Sequence, residues 1–271
     1  MRLLFLCPRW GTISLPPAEF IRQVIDVGYD GIEVAFADGD TSDESVPLLA
    51  KDAGLAVVTQ HYATLTTDFN AHCQEYEQRL RRAASFRPLF INSQTGRDLF
   101  ILNQNLGIFE VAEKVATDTG IPIFHETHRA RCLHTPWRTT ELLRASPGTR
   151  LVLDLSHWCN VCESLLEDQS EIITAILPSV EHIHVRVGHA QGPQVSDPRA
   201  PEWQEALDAH LKWWDRVVDA KRKAGASQLT ITPEFGPPPY QPTLPWTQMP
   251  VSSPWNINVH MMNLLRNRYT K

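Results

Sequence analysis

The sequence is notable first for what it does not contain. No apolar run approaches the ~20 residues of a membrane span, so neither a membrane partner nor a helical anchor is expected. Basic residues are not in excess. The formal net charge is −6, which disfavours a non-specific grip on a nucleic-acid backbone, since that needs clustered Lys and Arg. The five cysteines are an odd, scattered set, better suited to a reducing cytoplasm than to a disulfide framework. A cytoplasmic protein is therefore expected. No glycine fingerprint for phosphate binding is present. The apolar start from Met1 to Pro8 is shorter than a signal-peptide core, and Pro8-Arg9-Trp10 offers no small-residue cleavage site. It reads as a first strand. No linker, repeat or low-complexity segment divides the chain, so residues 1–271 are read as one domain.

What is present is an ordinary globular composition, 21% charged and 42% apolar, carrying a repeated pattern. Strand signals at Leu3–Cys7, Gly31–Phe36, Leu55–Gln60 and Pro88–Asn92 alternate with helix signals at 14–27, 43–53, 69–86 and 99–119. A fifth strand ends at Glu126, a sixth begins at Leu151, and a seventh and eighth span Val180–Val185 and Gln228–Thr232. Helical patterns cover 136–145, 165–177, 202–224 and 257–266. Alternating strands and helices over 271 residues match an α/β protein built as a single (β/α)8 TIM barrel, typically about 250 residues, with its active site at the C-terminal face of the strands.

Several strands end in groups that carry chemistry. The run Leu151-Val-Leu-Asp154-Leu-Ser-His157 passes from apolar to carboxylate to imidazole, and Ile121 to His128 does the same through Glu126. Strand seven ends in His182-Ile-His184-Val-Arg186 and strand eight in Pro233-Glu234-Phe. A barrel brings Glu126, Asp154, His184 and Glu234 to one circle. Three carboxylates would repel one another there without a cation. One nitrogen among oxygens suits Mn²⁺ first, with Mg²⁺, Co²⁺ or Zn²⁺ as alternatives. Arg186 at the mouth is suited to a substrate hydroxyl, carboxylate or phosphate. His157, His128 and His61 are candidates to reach the substrate, each against a structural alternative. His182, one layer below His184, and His125, opposite in phase to Glu126, read as structural. Glu33 is either in the pocket or just behind it. The single Cys159-Asn-Val-Cys162 reads as a packed helix start, and the stripe Trp203, Leu207, Leu211, Trp214 and Val218 as core. The loops 188–201 and 236–254 are expected over the mouth, where Arg199 would meet an anionic group or pair with a neighbour.

Gly28-Tyr-Asp-Gly-Ile-Glu33, Glu126-Thr-His128, Asp154-Leu-Ser-His157, His182-Ile-His184-Val-Arg186 and Pro233-Glu234-Phe together resemble the xylose isomerase-like TIM barrels. These include sugar isomerases, sugar-phosphate isomerases/epimerases, inosose dehydratases and apurinic endonucleases. The resemblance spans nearly the whole chain. It implies one divalent metal on Glu126, Asp154, His184 and Glu234, with His157 and Arg186 at a small carbohydrate substrate. Glu126 and Glu234 would then move protons next to a carbonyl. The implied activity is metal-dependent sugar isomerisation or epimerisation, with dehydration as an alternative. A homo-oligomer is compatible with it, as is a barrel that binds sugar without catalysis. The endonuclease branch fits less well. Gln94 stands where that branch needs a histidine, and Asp197-Pro-Arg199 where it needs Asp-x-His.

Overall fold

The structure, a computed structural model, describes residues 1–36 and 43–269. Among these, eight parallel strands pair in sequence order: β1 (Arg2–Pro8), β2 (Gly31–Ala35), β3 (Ala56–His61), β4 (Ile91–Ser93), β5 (Ile123–Glu126), β6 (Leu151–Asp154), β7 (Val180–His184) and β8 (Gln228–Thr232). β8 pairs back onto β1, which closes the barrel. Helices α1 (Pro17–Val27), α2 (Ser45–Asp52), α3 (Phe69–Ser85), α4 (Leu102–Thr119) and α5 (Pro136–Ala145) lie between the first six strands. α6 (Leu155–Cys162) and α7 (Ser170–Ile176) follow β6, α8 (Gln204–Lys223) follows β7 and α9 (Pro254–Tyr269) follows β8.

Side chains alternate across each strand, and this sorts the core. Phe5, Cys7, Val57, Leu151, Leu153, Ile183 and Ile231 point outward and pack with the helices, including Leu207, Leu211, Trp214 and Val218 of α8. Leu4, Leu6, Val58, Phe90 and Val152 point inward and form a separate apolar plug, with Ala56 and Phe124 against it. Two residues further along the same strands, the inward positions turn polar: Gln60 after Val58, Asn92 after Phe90, Glu126 after Phe124, and Asp154 after Val152. The register pairs Asp154 with His184 and His184 with Thr232. The plug thus closes the amino end and the polar ring opens at the carboxyl end.

Two of the differences from the sequence reading have a clear backbone cause. The ladder of β4 begins at Ile91 rather than Pro88, because proline has no N–H to donate and Arg87 turns left-handed, with φ 48°. The expected helix 165–177 is shorter, and α6 precedes it. Glu163 and Leu166, with φ 49° and 70°, interrupt the chain between the two. Cys159 and Cys162 fall within α6, and all five cysteines are free thiols. No helix among the described residues is long and apolar enough to cross a membrane.

The loops after β7 and β8 brace each other over the carboxyl face. Gln194 donates to the Gly236 carbonyl at 3.2 Å and accepts from the Gly236 N–H at 2.8 Å. Gln241 donates to the Ser196 carbonyl at 3.0 Å.

Candidate active site and metal centre

The strand ends converge as expected. One ligand atom from each of Glu126, Asp154, His184 and Glu234 lies within 4.8 Å of the others, and all four residues are buried. Gln60 Nε2 stands 3.4 Å from Glu126 Oε2 and 3.1 Å from Glu234 Oε1, bridging the two glutamates. Asn92 donates to both Glu126 Oε2, at 3.0 Å, and Glu33 Oε1, at 2.9 Å.

His184 shows how such a centre is oriented. Its Nε2 sits 3.2 Å from both Glu33 oxygens. Its Nδ1 is 3.0 Å from Glu234 Oε2 and 3.8 Å from Glu126 Oε1, yet it makes no hydrogen bond and is fully buried. A buried nitrogen without a hydrogen-bond partner, aimed at carboxylates, fits a cation between them. The donor set fits too, since three carboxylates and one imidazole match a hard divalent ion. Glu33, although it groups with His182 and His184, is better placed to support than to ligate. Its oxygens already face Asn92, Thr232 at 2.6 Å, His184, and His182 at 3.4 Å. A carboxylate behind a ligating histidine fixes the tautomer that leaves the other nitrogen free.

Burial pushes the Glu126 carboxyl up to about 7, opposed by His184 and reinforced by Glu234, Asp154 and Glu33. Burial acts the same way on Glu234, but His184 and Arg186 outweigh it and hold that carboxyl below its ordinary value. For Glu33, burial is likewise overcome, by the charges and hydrogen bonds of His184 and His182, and its carboxyl lies well below the ordinary value. For His184, burial is outweighed by Glu234, Glu33 and Glu126, which raise it well above an ordinary imidazole.

Asp154 has two tasks. Its Oδ1 accepts from the N–H of Ser156 at 2.9 Å and so caps α6. Its Oδ2 accepts from Arg186 Nη2 at 2.5 Å, and a second lone pair on that oxygen remains. Arg186 also donates to Ser156 Oγ at 3.1 Å and to His157 Nε2 at 2.7 Å. It lines the cavity above the carboxylates, as do His128, Glu33 and Glu234.

Other expected substrate contacts stand elsewhere. His157 is fully buried, its Nε2 occupied by Arg186 at 2.7 Å. Its ring lies against His128, with centroids 3.7 Å apart and planes tilted by 47°, and it braces Arg186 from behind, because α6 is capped by Asp154 and turns its first side chains into the wall. His61 points out of the barrel, where its Nε2 meets Thr64 Oγ1 at 2.8 Å, and it lines a smaller neighbouring cavity. Gln60, next to it, takes the inward place. Arg199 pairs with Asp197 at 2.6 Å, the neighbour-pairing alternative. Burial keeps His61 and His125 down at about 3, and His125 bonds Thr95 Oγ1 at 2.7 Å, a structural role. Sequence reasoning passed over Gln60, Asn92, Trp10 and Tyr240. Counting inward positions along β3 and β4 would have found the first two.

No protein-family model matches the chain, and no curated protein matches it by sequence. Solved structures do. The chain is similar to the 3-keto-D-glucoside 4-epimerase of E. coli at 14% identity, covering 98% of this chain and 100% of that one, with a TM-score of 0.66. A probable 3-DHS dehydratase from Bacillus anthracis is 18% identical, with 99% and 100% covered and a TM-score of 0.61. A xylose isomerase-like TIM barrel protein from Mycobacterium smegmatis, in complex with magnesium, is 14% identical, with 87% and 91% covered and a TM-score of 0.53. This chain has the fold of the xylose isomerase-like TIM barrels.

Proposed function

We propose that the protein is a divalent-metal-dependent isomerase or epimerase of a small polyhydroxylated carbohydrate, acting by proton transfer next to a carbonyl. The observation that carries this reading is the meeting of Glu126, Asp154, His184 and Glu234, with Glu234 lining a cavity of about 410 Å³, the size range of small-molecule sites. Glu126, Asp154, His184 and Glu234 would hold one divalent ion, Mn²⁺ first and Mg²⁺, Co²⁺ or Zn²⁺ otherwise. When bound, the ion offsets negative charge developing on adjacent substrate oxygens. The chain's own groups do the rest. Glu126 and Glu234 come from strands three places apart and converge on one point, so a substrate carbon seated between them would meet one carboxylate on each side. One would take the proton from carbon and the other return one, to the opposite side of the same carbon in epimerisation or to its neighbour in isomerisation. Arg186, held by Asp154 and Ser156, offers its remaining N–H groups to a substrate oxygen. The braced loops keep water from the reacting carbon. The fold is also that of an epimerase and of a probable dehydratase, which supports chemistry of this kind.

The test is solvent exchange. A panel of ketoses, aldoses, their phosphates and inososes is incubated with the Mn²⁺-loaded protein in D₂O. Deuterium should enter at a carbon next to the carbonyl and vanish in both Glu126→Gln and Glu234→Gln. Exchange that survives both substitutions refutes the acid–base roles, and no exchange with any compound refutes the reaction.

A further inference from the structure

The cavity above the carboxylates has a second character. Trp10, Tyr240, Phe36 and Tyr62 contribute aromatic surface to its lining. Trp10 and Tyr240 meet edge to face, with centroids 5.0 Å apart and planes at 86°. The Trp10 ring lies so close to the Gly236 backbone that a Cβ there would stand 2.1 Å from it. Trp10 is thus seated on the start of the β8 loop, a fixed wall beside the polar floor.

The charges around the cavity are committed. Among its described lining residues the guanidiniums are Arg9 and Arg186, and they face Glu33, Asp43 and Glu234. Arg9 is 2% exposed. It binds Asp43 through Nε and Nη2, at 3.0 and 2.8 Å, and the carbonyls of Thr12 and Leu15, each at 2.8 Å. Arg186 is neutralised by Asp154 at 2.5 Å, with Glu234 3.5 Å away. Arg129 and Arg186 lie over the Tyr240 ring, 5.0 and 4.8 Å from its centroid, so that Tyr240 backs Trp10, and Arg131 is bound to the carbonyls of Thr64 and Tyr62. α6 starts at the mouth, but its N-terminal N–H is taken by Asp154, so it offers no phosphate seat of the usual kind.

We infer that the cavity selects an unphosphorylated sugar, with one C–H face of its ring against Trp10, and rejects the phosphate ester of the same skeleton. This rests on the isomerase or epimerase reading and narrows its substrate class. Aromatic faces carry partial negative charge and attract the C–H groups of a sugar ring. A phosphate dianion would meet carboxylates whose cations are already engaged, and like charges brought together are disfavoured.

The experiment measures binding apart from turnover. D-fructose, D-xylulose and their phosphate esters are titrated calorimetrically into the Mn²⁺-loaded protein, with inorganic phosphate as competitor. At least one neutral ketose should bind at least about tenfold tighter than its ester, with no competition from phosphate. Trp10→Ala should weaken that ketose about tenfold, and Trp10→Phe, which keeps an aromatic face, should recover most of the loss. An ester bound as tightly as its parent, or tighter, overturns the inference, as does an unaffected Trp10→Ala. Solvent exchange confined to the esters would keep the proposed reaction and refute this substrate class. If no titrated sugar binds, this substrate class is refuted, and only solvent exchange lacking with every compound of the panel also refutes the reaction.

Discussion

Replacing Glu33 by glutamine tests whether the metal centre is oriented from behind. The substitution keeps volume but turns one carboxylate oxygen into an NH₂ group. In the native site four buried donors converge on Glu33: Thr232 Oγ1 at 2.6 Å, Asn92 Nδ2 at 2.9 Å, His184 Nε2 at 3.2 Å and His182 Nε2 at 3.4 Å. An amide can accept at one end only, so at least one donor faces another donor. A buried donor left without an acceptor costs ~1–3 kcal/mol, and the apo protein should lose stability on the order of 2 kcal/mol. The effect on metal follows from His184. If the new NH₂ donates to Nε2, the ring proton moves to Nδ1, the nitrogen that faces Glu234 and Glu126, and a protonated nitrogen cannot ligate. Loss of such a supporting partner typically weakens metal affinity ~10–100-fold. Competition between the protein and a fluorescent chelator for Mn²⁺ reads that change directly, and circular dichroism checks the fold. A folded Glu33→Gln protein with native Mn²⁺ affinity would refute the tautomer argument.

Three further outcomes are expected. Arg186→Met, by leaving Asp154 and Glu234 without their buried partner, should cost ~3 kcal/mol in urea unfolding and abolish sugar binding. An unchanged midpoint would contradict this. Gly236→Ala, which drives a methyl into the Trp10 ring, should cost ~1–3 kcal/mol and weaken sugar binding while leaving metal stoichiometry intact, as read by calorimetry and elemental analysis. His210 sets a pH dependence. Burial holds its imidazole down at about 4, only partly opposed by its bond to the Ala206 carbonyl, while its Nε2 accepts from the Gly188 N–H at 3.2 Å. The unfolded chain, with an ordinary value near 6.5, therefore takes up the proton first. Stability falls as pH drops below about 6.5 and stops falling on this account below about 4, a loss of ~2 kcal/mol by pH 5. Urea unfolding at pH 7 and pH 5 should show a loss about 2 kcal/mol larger in wild type than in His210→Gln, the remainder shared by both coming from other buried imidazoles such as His61 and His125.

Much of this architecture was legible in the sequence because barrel strands end in polar groups after apolar runs. That pattern located β5 to β8 and all four residues of the proposed metal set. It failed where a strand was short or where phase was not counted. On β3 the imidazole of His61 drew attention, yet the two-residue period from Val58 puts Gln60 inward and His61 outward. Asp154 was read as a strand-end ligand, and its second task as the cap of α6 explains why His157 faces the wall rather than the substrate. Trp10 and Tyr240 lie far apart in the chain, and only the braced loops over the carboxyl face bring them together.

The metal content of the protein tests the proposed centre most directly. Elemental analysis of wild type and Asp154→Ala, each dialysed after loading with Mn²⁺ and checked for folding by circular dichroism, should give about one ion per chain in the first and none in the second. A metal-free wild type, three ions per chain, or a fully loaded Asp154→Ala would contradict a single ion held by Glu126, Asp154, His184 and Glu234.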